Sequence, residues 1–167
     1  MQTVLEKLEQ VMQSELAVHD DLLASSREFN RAIRENDIEN IDRQRSVQDA
    51  TICRIEKLES ERRSCCAVLA QSYGIVKQPL KLAMLIEKVP KQWCDRLGEL
   101  QRALKDRLAE LAKISASNRI LLEEGMRMVQ ATFGFVRQAA AGRYCAYGKH
   151  GRTVAGPAVQ SIINRTI

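Results

Sequence analysis

The sequence predicts an all-α chain: an antiparallel bundle of three long helices with a short connecting helix and a flexible C-terminal tail. Apolar residues recur in steps of three and four over most of the chain, the period of an amphipathic helix. Aromatic residues make up 4 % and only three prolines are present. A chain dominated by Leu, Ala, Glu, Lys, Arg and Gln suits long helices better than a sheet sandwich.

The first helix runs from about Gln2 to Arg34. Leu5, Leu8, Met12, Glu15, His19, Leu22, Ser26, Phe29 and Ile33 form a seam, widened by Val4, Val11, Leu16, Val18 and Leu23. No Gly or Pro interrupts it, so it reaches roughly 50 Å at 1.5 Å per residue. Asn36-Asp37 breaks the pattern. Asp37 is a good N-cap for a second helix starting at Ile38, because its carboxylate can accept from orphan amide N–H groups. That helix continues through Ile41, Val47, Ile52, Ile55, Leu58, Cys65, Val68 and Leu69, with a polar middle where the seam passes Arg45 and Gln48. Gly74 supplies a left-handed stop. Two long helices on so short a link lie antiparallel.

Residues 75–89 form a connector in which Pro79 opens a short helix over Leu80 to Ile86. Pro90 sits where a first helical turn tolerates it. The third long helix runs from about Lys91 to Ala140. Its stripe is Trp93, Leu97, Leu100, Leu104, Leu108, Leu111, Ser115, Asn118, Leu122, Gly125, Val129, Thr132 and Val136. At roughly 75 Å it exceeds its partners, so its far end overhangs, bends, or packs on something else. Residues 1–140 are therefore read as a coiled-coil-like bundle and residues 141–167 as a flexible basic tail. The tail begins where Gly142, Gly148, Gly151 and Gly156 rule out one continuous helix. Its end, Val159 to Ile163, is a short sticky element.

Charge follows the same division. The net charge is +5, but residues 125–167 hold no Asp or Glu and six bases: Arg127, Arg137, Arg143, Lys149, Arg152 and Arg165. Removing those six from the 26 bases leaves 20 against 21 acids in residues 1–124. The body is nearly neutral and the C-terminal portion basic, which points to a tail with its own task. The five cysteines (Cys53, Cys65, Cys66, Cys94, Cys145) form no Cys-x-x-Cys pair, and neither His19 nor His150 has metal-ligand spacing to them. Cys53, Cys66 and Cys94 read as small apolar core or flank residues. No apolar run approaches the roughly 18–20 residues that span a bilayer, and the N-terminus leads straight into a helix, so a cytoplasmic protein without stable membrane insertion is expected.

Catalytic motifs are missing: no Gly-rich phosphate loop, no His-Glu-x-x-His pair, no nucleophile elbow. Glu56, Glu59 and Glu61 beside Lys57, Arg62 and Arg63 are spaced as solvated surface pairs. His19 lies on a helix seam as a structural residue, and His150 lies in the tail. No catalytic, metal or cofactor site is assigned, and the reading is of a binding protein.

Three local patterns occur in a defined order. Near the end of helix two stands Ile55-Glu-Lys-Leu-Glu-Ser-Glu-Arg-Arg63. Late in helix three stands Asn118-Arg-Ile-Leu-Leu-Glu123. In the tail stands Tyr147-Gly-Lys-His-Gly151-Arg152. In that order and spacing, with the break at Glu35-Asn36-Asp37, the chain resembles the FlgN family of flagellar export chaperones over its whole length. Its tail from Arg143 to Ile167 is longer, and more apolar at its end, than the family pattern. The resemblance implies a bacterial cytosolic chaperone without enzymatic activity or cofactor. It would bind the C-terminal amphipathic segments of hook-filament junction proteins (FlgK and FlgL type), prevent their premature association, and deliver them to the export gate or its ATPase-complex components.

Such a task needs an apolar surface for an amphipathic helix. The candidate is the far end of helix three: Leu121, Leu122, Met126, Val129, Phe133 and Val136. Leu122, Val129 and Val136 lie on the strict seam and fit either the bundle core or a partner. Leu121, Met126 and Phe133 lie off it and face a partner. Tyr147, in a glycine-flanked basic tail, is the candidate anchor for docking on the export gate. A generic helical adaptor or self-associating coil is the alternative, with Glu15, Arg45 and Gln48 setting its register. The tail's dispersed bases and two tyrosines argue against nucleic-acid binding.

Overall fold

A computed structural model describes residues 1–75, 82–142, 145–147 and 153–155, with side chains through Gln138. Three long helices appear where the periodicity predicts them: α1 (Gln2–Glu35), α2 (Ile38–Ser72) and, after the short α3 (Leu82–Ile86), α4 (Lys91–Gly142). Pro79, Leu80 and Lys81 lie outside the described residues. The chain divides into two compact units, Met1–Leu122 and Glu123–Ile167; the boundary falls inside α4.

Local chemistry sets the helix ends. Asn36 takes up the left-handed conformation (φ 57°, ψ 34°) that closes α1, one that asparagine tolerates better than most side chains. Asp37 then caps α2, its carboxylate accepting from the Asn40 amide at 3.0 Å. Beyond α2, Gly74 reverses the chain at φ 65°.

In the first unit, Ser25–Gln44, Asp21–Arg54 and Glu15–Arg62 pair with falling numbers against rising ones, so α1 and α2 are antiparallel. Glu9–Arg96, Asp20–Arg107 and Asn30–Ser117 each join residues 87 apart, so α1 and α4 run parallel in one register. Up, down and up again is the order that short links allow.

The apolar core gathers at one end, where α1 begins, α2 ends and α4 begins. Leu5, Leu8 and Met12 meet Cys65, Cys66 and Leu69 of α2; Leu85, Ile86 and Val89 of the connector; and Trp93 and Leu97 of α4. Toward the other end polar contacts join the buried Val18, Leu23, Ala32 and Leu111. Glu15, with its side chain almost sealed, accepts from Arg62 Nε on both oxygens at 2.9 Å. His19 is buried and its Nδ1–H donates to the Glu15 carbonyl at 2.7 Å, which gives it the expected structural role.

The inward line of α2 differs from the sequence reading. It runs through Gln44, Gln48, Thr51, Ile55, Leu58, Arg62, Cys65 and Leu69, all buried or half-buried, while Val47, Ile52 and Val68 are exposed and so is Arg45. Cys65 and Leu69 are held in the core, and the helical period propagated back from them brings Thr51 and Gln44 inward, leaving Val47 and Ile52 on the flanks. Leu108 and Ser115 of α4 are exposed as well. Within the second unit, β1 (Cys145–Tyr147) and β2 (Thr153–Ala155) pair antiparallel, Tyr147 opposite Thr153. This hairpin adds a feature that the reading of a flexible tail lacks.

Removing Arg62 strands the Glu15 carboxylate. Arg62→Ala should cost about 2–3 kcal/mol, below the value for a fully sealed pair because 24 % of the Arg62 side chain remains accessible. Replacing both partners with Leu should be neutral or stabilising by about 1–4 kcal/mol. Urea titration followed by circular dichroism checks both. Burial pushes the neighbouring Cys66 thiol up to about 11 against 9.0 for a free thiol, with Arg62 pulling the other way. As pH rises, the unfolded chain gives up this proton first. The contribution of Cys66 is therefore intact below pH 9.0 and lost toward pH 11. Urea midpoints across that range should fall less steeply for Cys66→Ala.

Candidate partner-binding face on α4

Two of the three sequence patterns contribute to the bundle. Arg62 is the partner of Glu15, and Arg63 pairs with Glu59 one turn back. Asn118 is buried and ties α4 to α1: its Oδ1 accepts from Asn30 Nδ2 at 2.7 Å, and its Nδ2 donates to the Ser26 carbonyl at 3.2 Å. Asn30 in turn accepts from Arg34 at 2.9 Å. An amide suits this position because it donates and accepts at once.

Beyond Leu122 the character of α4 changes. Every residue from Glu123 to Gln138 is exposed. Of the six sequence candidates, Met126, Val129, Phe133 and Val136 belong to this stretch and all are more than half exposed. Leu122, which closes the first unit, is exposed and its neighbour Leu121 is half-buried. None of Leu122, Val129 and Val136 is buried.

Sequence reasoning missed Met128 and Phe135, which are 72 % and 75 % exposed, the most open of the large apolar residues in this stretch. Following a strict seam put them on the flank. A usable signal was present, since they stand seven residues apart, as Met126 and Phe133 do. Six large apolar side chains on three turns of helix make a patch of the kind that marks an interaction site. Methionine on both borders gives it an adaptable outline. Its polar side carries Arg127, Gln130, Arg137 and Gln138, with Glu123 and Glu124 at its start.

Among the described residues no group of His, Cys, Asp or Glu could hold a metal ion, and no helix is long and apolar enough to cross a membrane. Tyr147, the third pattern's aromatic residue, belongs to β1. The bases Arg143, Lys149, Arg152 and Arg165, like Val159 to Ile163, lie outside the described residues.

The model of the FlgN protein family matches residues 1–155. Among curated proteins and among solved structures nothing matches.

The exposed face has a direct consequence for stability. Met126→Ser with Phe133→Ser should leave the urea midpoint nearly unchanged, within about 0.5 kcal/mol, as surface substitutions do. By contrast, Asn118→Leu should cost about 1–3 kcal/mol, because the Ser26 carbonyl loses its donor from α4 and Asn30 Nδ2 keeps only the longer bond to Ser117.

Proposed function

The chain belongs to the FlgN family, a family of flagellar export chaperones that bind hook-associated proteins, and on that premise we propose that its clients are junction proteins of the FlgK and FlgL type. The exposed face of α4 is the client site in this reading. Met126, Val129, Phe133 and Val136, with Leu121 and Leu122 nearer the bundle, receive the client's C-terminal amphipathic segment in the cytoplasm. What supports it is the exposure of an apolar face on a helix whose earlier part buries Trp93, Leu97 and Leu111. Folding alone gives no reason to keep Met and Phe in water, whereas a client helix that would otherwise aggregate supplies one.

The mechanism is burial. Each large side chain taken out of water contributes about 1.5–3 kcal/mol before the costs of association. The client's own apolar stripe is covered meanwhile, so it cannot pair prematurely. Release requires no covalent step, only a site that competes for the stripe. Tyr147 is the proposed anchor to the export gate or its ATPase complex. An aromatic residue in an acid-free segment supports this role, since small docking motifs draw much of their energy from such anchors.

Met126→Ser with Phe133→Ser should weaken binding of a FlgK-type protein roughly tenfold or more, measured by titration calorimetry, with unchanged circular dichroism. Normal binding by the double variant would remove the assignment. Tyr147→Ala should leave client binding intact and reduce both gate binding and swimming motility; unchanged motility would eliminate that role.

A further inference from the structure

We propose that residues 157–167 form a short amphipathic helix that docks on the exposed apolar face of α4 in the same molecule, and that a client displaces it. The docking rests on the exposure of that face and on the sequence that follows the hairpin. Only the displacement rests on the client-binding reading. Residues 156–167 lie outside the described residues, and the family match stops just before them, at residue 155.

The sequence of this segment carries a helix pattern of its own. Gly156-Pro157 is a helix start, with proline at the first position, where a backbone N–H has no partner in any case. At about 100° per residue, Val159, Ile162, Ile163, Thr166 and Ile167 share one arc of about 140°. Gln160, Ser161, Asn164 and Arg165 fill the opposite side. A strand would instead mix Ser161 and Arg165 among Val159, Ile163 and Ile167, because its side chains alternate. Helices shorter than about 12–15 residues are marginal in water. A helix over 157–167 therefore needs an apolar surface to form on.

Such a surface lies within reach. Val129, Phe133 and Val136 follow one line of α4, and each is more than half exposed. The hairpin returns the chain toward them, since Ala155 stands opposite Cys145, three residues after Gly142. Three residues span at most about 11 Å and a strand pairing adds about 5 Å, so Ala155 lies within about 16 Å of Gly142. Val136 is about 9 Å further along α4. Two linking residues and a helix of about 16 Å reach about 23 Å from Ala155. A hairpin turned toward α4 thus sets the segment along Val136 and Phe133. So short a tether gives the segment an effective concentration of about a millimolar. A second copy of the chain competes with it only at protein concentrations of that order. Charge has no part in the contact, because residues 125–167 hold no acid. The contact is small and purely apolar, which leaves it open to displacement by a client with a longer stripe.

The test is NMR spectroscopy of the full chain. Residues 157–167 should show helical chemical shifts, and the methyls of Ile162 and Ile163 should give NOEs to Phe133 and Val136. A sample mixing labelled and unlabelled chains should place those NOEs within one molecule. Phe133→Ser with Val136→Ser should return residues 157–167 to coil shifts while the signals of the bundle stay in place. Ile162→Ser with Ile163→Ser, far from the bundle core, should tighten a full-length FlgK-type client about threefold or more in calorimetry, because a face covered part of the time binds correspondingly weaker. Coil shifts in the unaltered chain, or NOEs between molecules, overturn the docking whatever the client does. If the NOEs are found but Ile162→Ser with Ile163→Ser leaves client affinity unchanged, the docking stands, while the displacement and client binding on this line of α4 both fail.

Discussion

The parallel register of α1 and α4 governs the rest of the structure. Hydrophobic stripes alone tolerate sliding by a heptad, because one leucine replaces another. Ionic and amide pairs do not. Glu9–Arg96, Asp20–Arg107 and Asn30–Ser117 repeat one offset along most of α1, and a slip of a single turn would break all three together. Carried to the last residue of α1, the offset matches Glu35 with Leu122, the residue at which the first unit ends. The length of α1 therefore decides how much of α4 has an α1 residue in register. The break at Asn36–Asp37, a small local feature, sets that limit.

Packing and polarity are divided along the first unit. Apolar side chains fill the end where the connector crosses, and there Leu8, Met12, Leu69, Leu85 and Leu97 are fully buried. The opposite end is held by Ser25–Gln44 and by the Asn30–Asn118 pair with its link to Ser26. Burial contributes most of the free energy in such a bundle. Polar pairs contribute less net stability, but they select one arrangement, since a buried amide without its partner is costly. Arg62 and Asn118, which belong to the patterns that carry the family resemblance, do this selective work. Those patterns mark how the bundle is assembled, whereas the proposed client face is a matter of which side of α4 stays apolar.

Much of this was legible in the sequence, and the exceptions share a cause. The end of α1 and the start of α2 at Asn36–Asp37, the left-handed stop at Gly74 and the restart after Pro90 follow from single residues whose backbone preferences are strong. The inward line of α2 was not legible, because its middle offers no consistent stripe. Val47 and Ile52 look like core by composition, and only the anchoring of Cys65 and Leu69 far along the helix shows that the period carries them outward. The pairing of Glu15 with Arg62 also joins residues too distant in sequence for spacing to reveal. At the candidate face the sequence identified four of the exposed residues between Met126 and Val136 and missed Met128 and Phe135. A seam drawn for a bundle assumes one narrow stripe, and this stretch is wider than that.

That width raises a question of stability, because a helix segment without tertiary cover depends on its own propensity. Isolated helices of about 12–15 residues are marginal in water, chiefly because the first turn is costly to nucleate. Residues 123–142 avoid that cost. They continue α4 without a break from Lys91, so each turn only propagates an existing helix. Against this, Gly125 and Gly134 each weaken the stretch by about 1 kcal/mol relative to alanine, and among the described residues a Cβ at either glycine would meet no tertiary neighbour within 4 Å. The segment is thus helical by inheritance from the bundle and weak by composition, and in the proposed reading a bound client adds contacts where α4 lacks them. In that reading client binding and the order of this last part of α4 are thermodynamically coupled, and the helix enters the segment already nucleated.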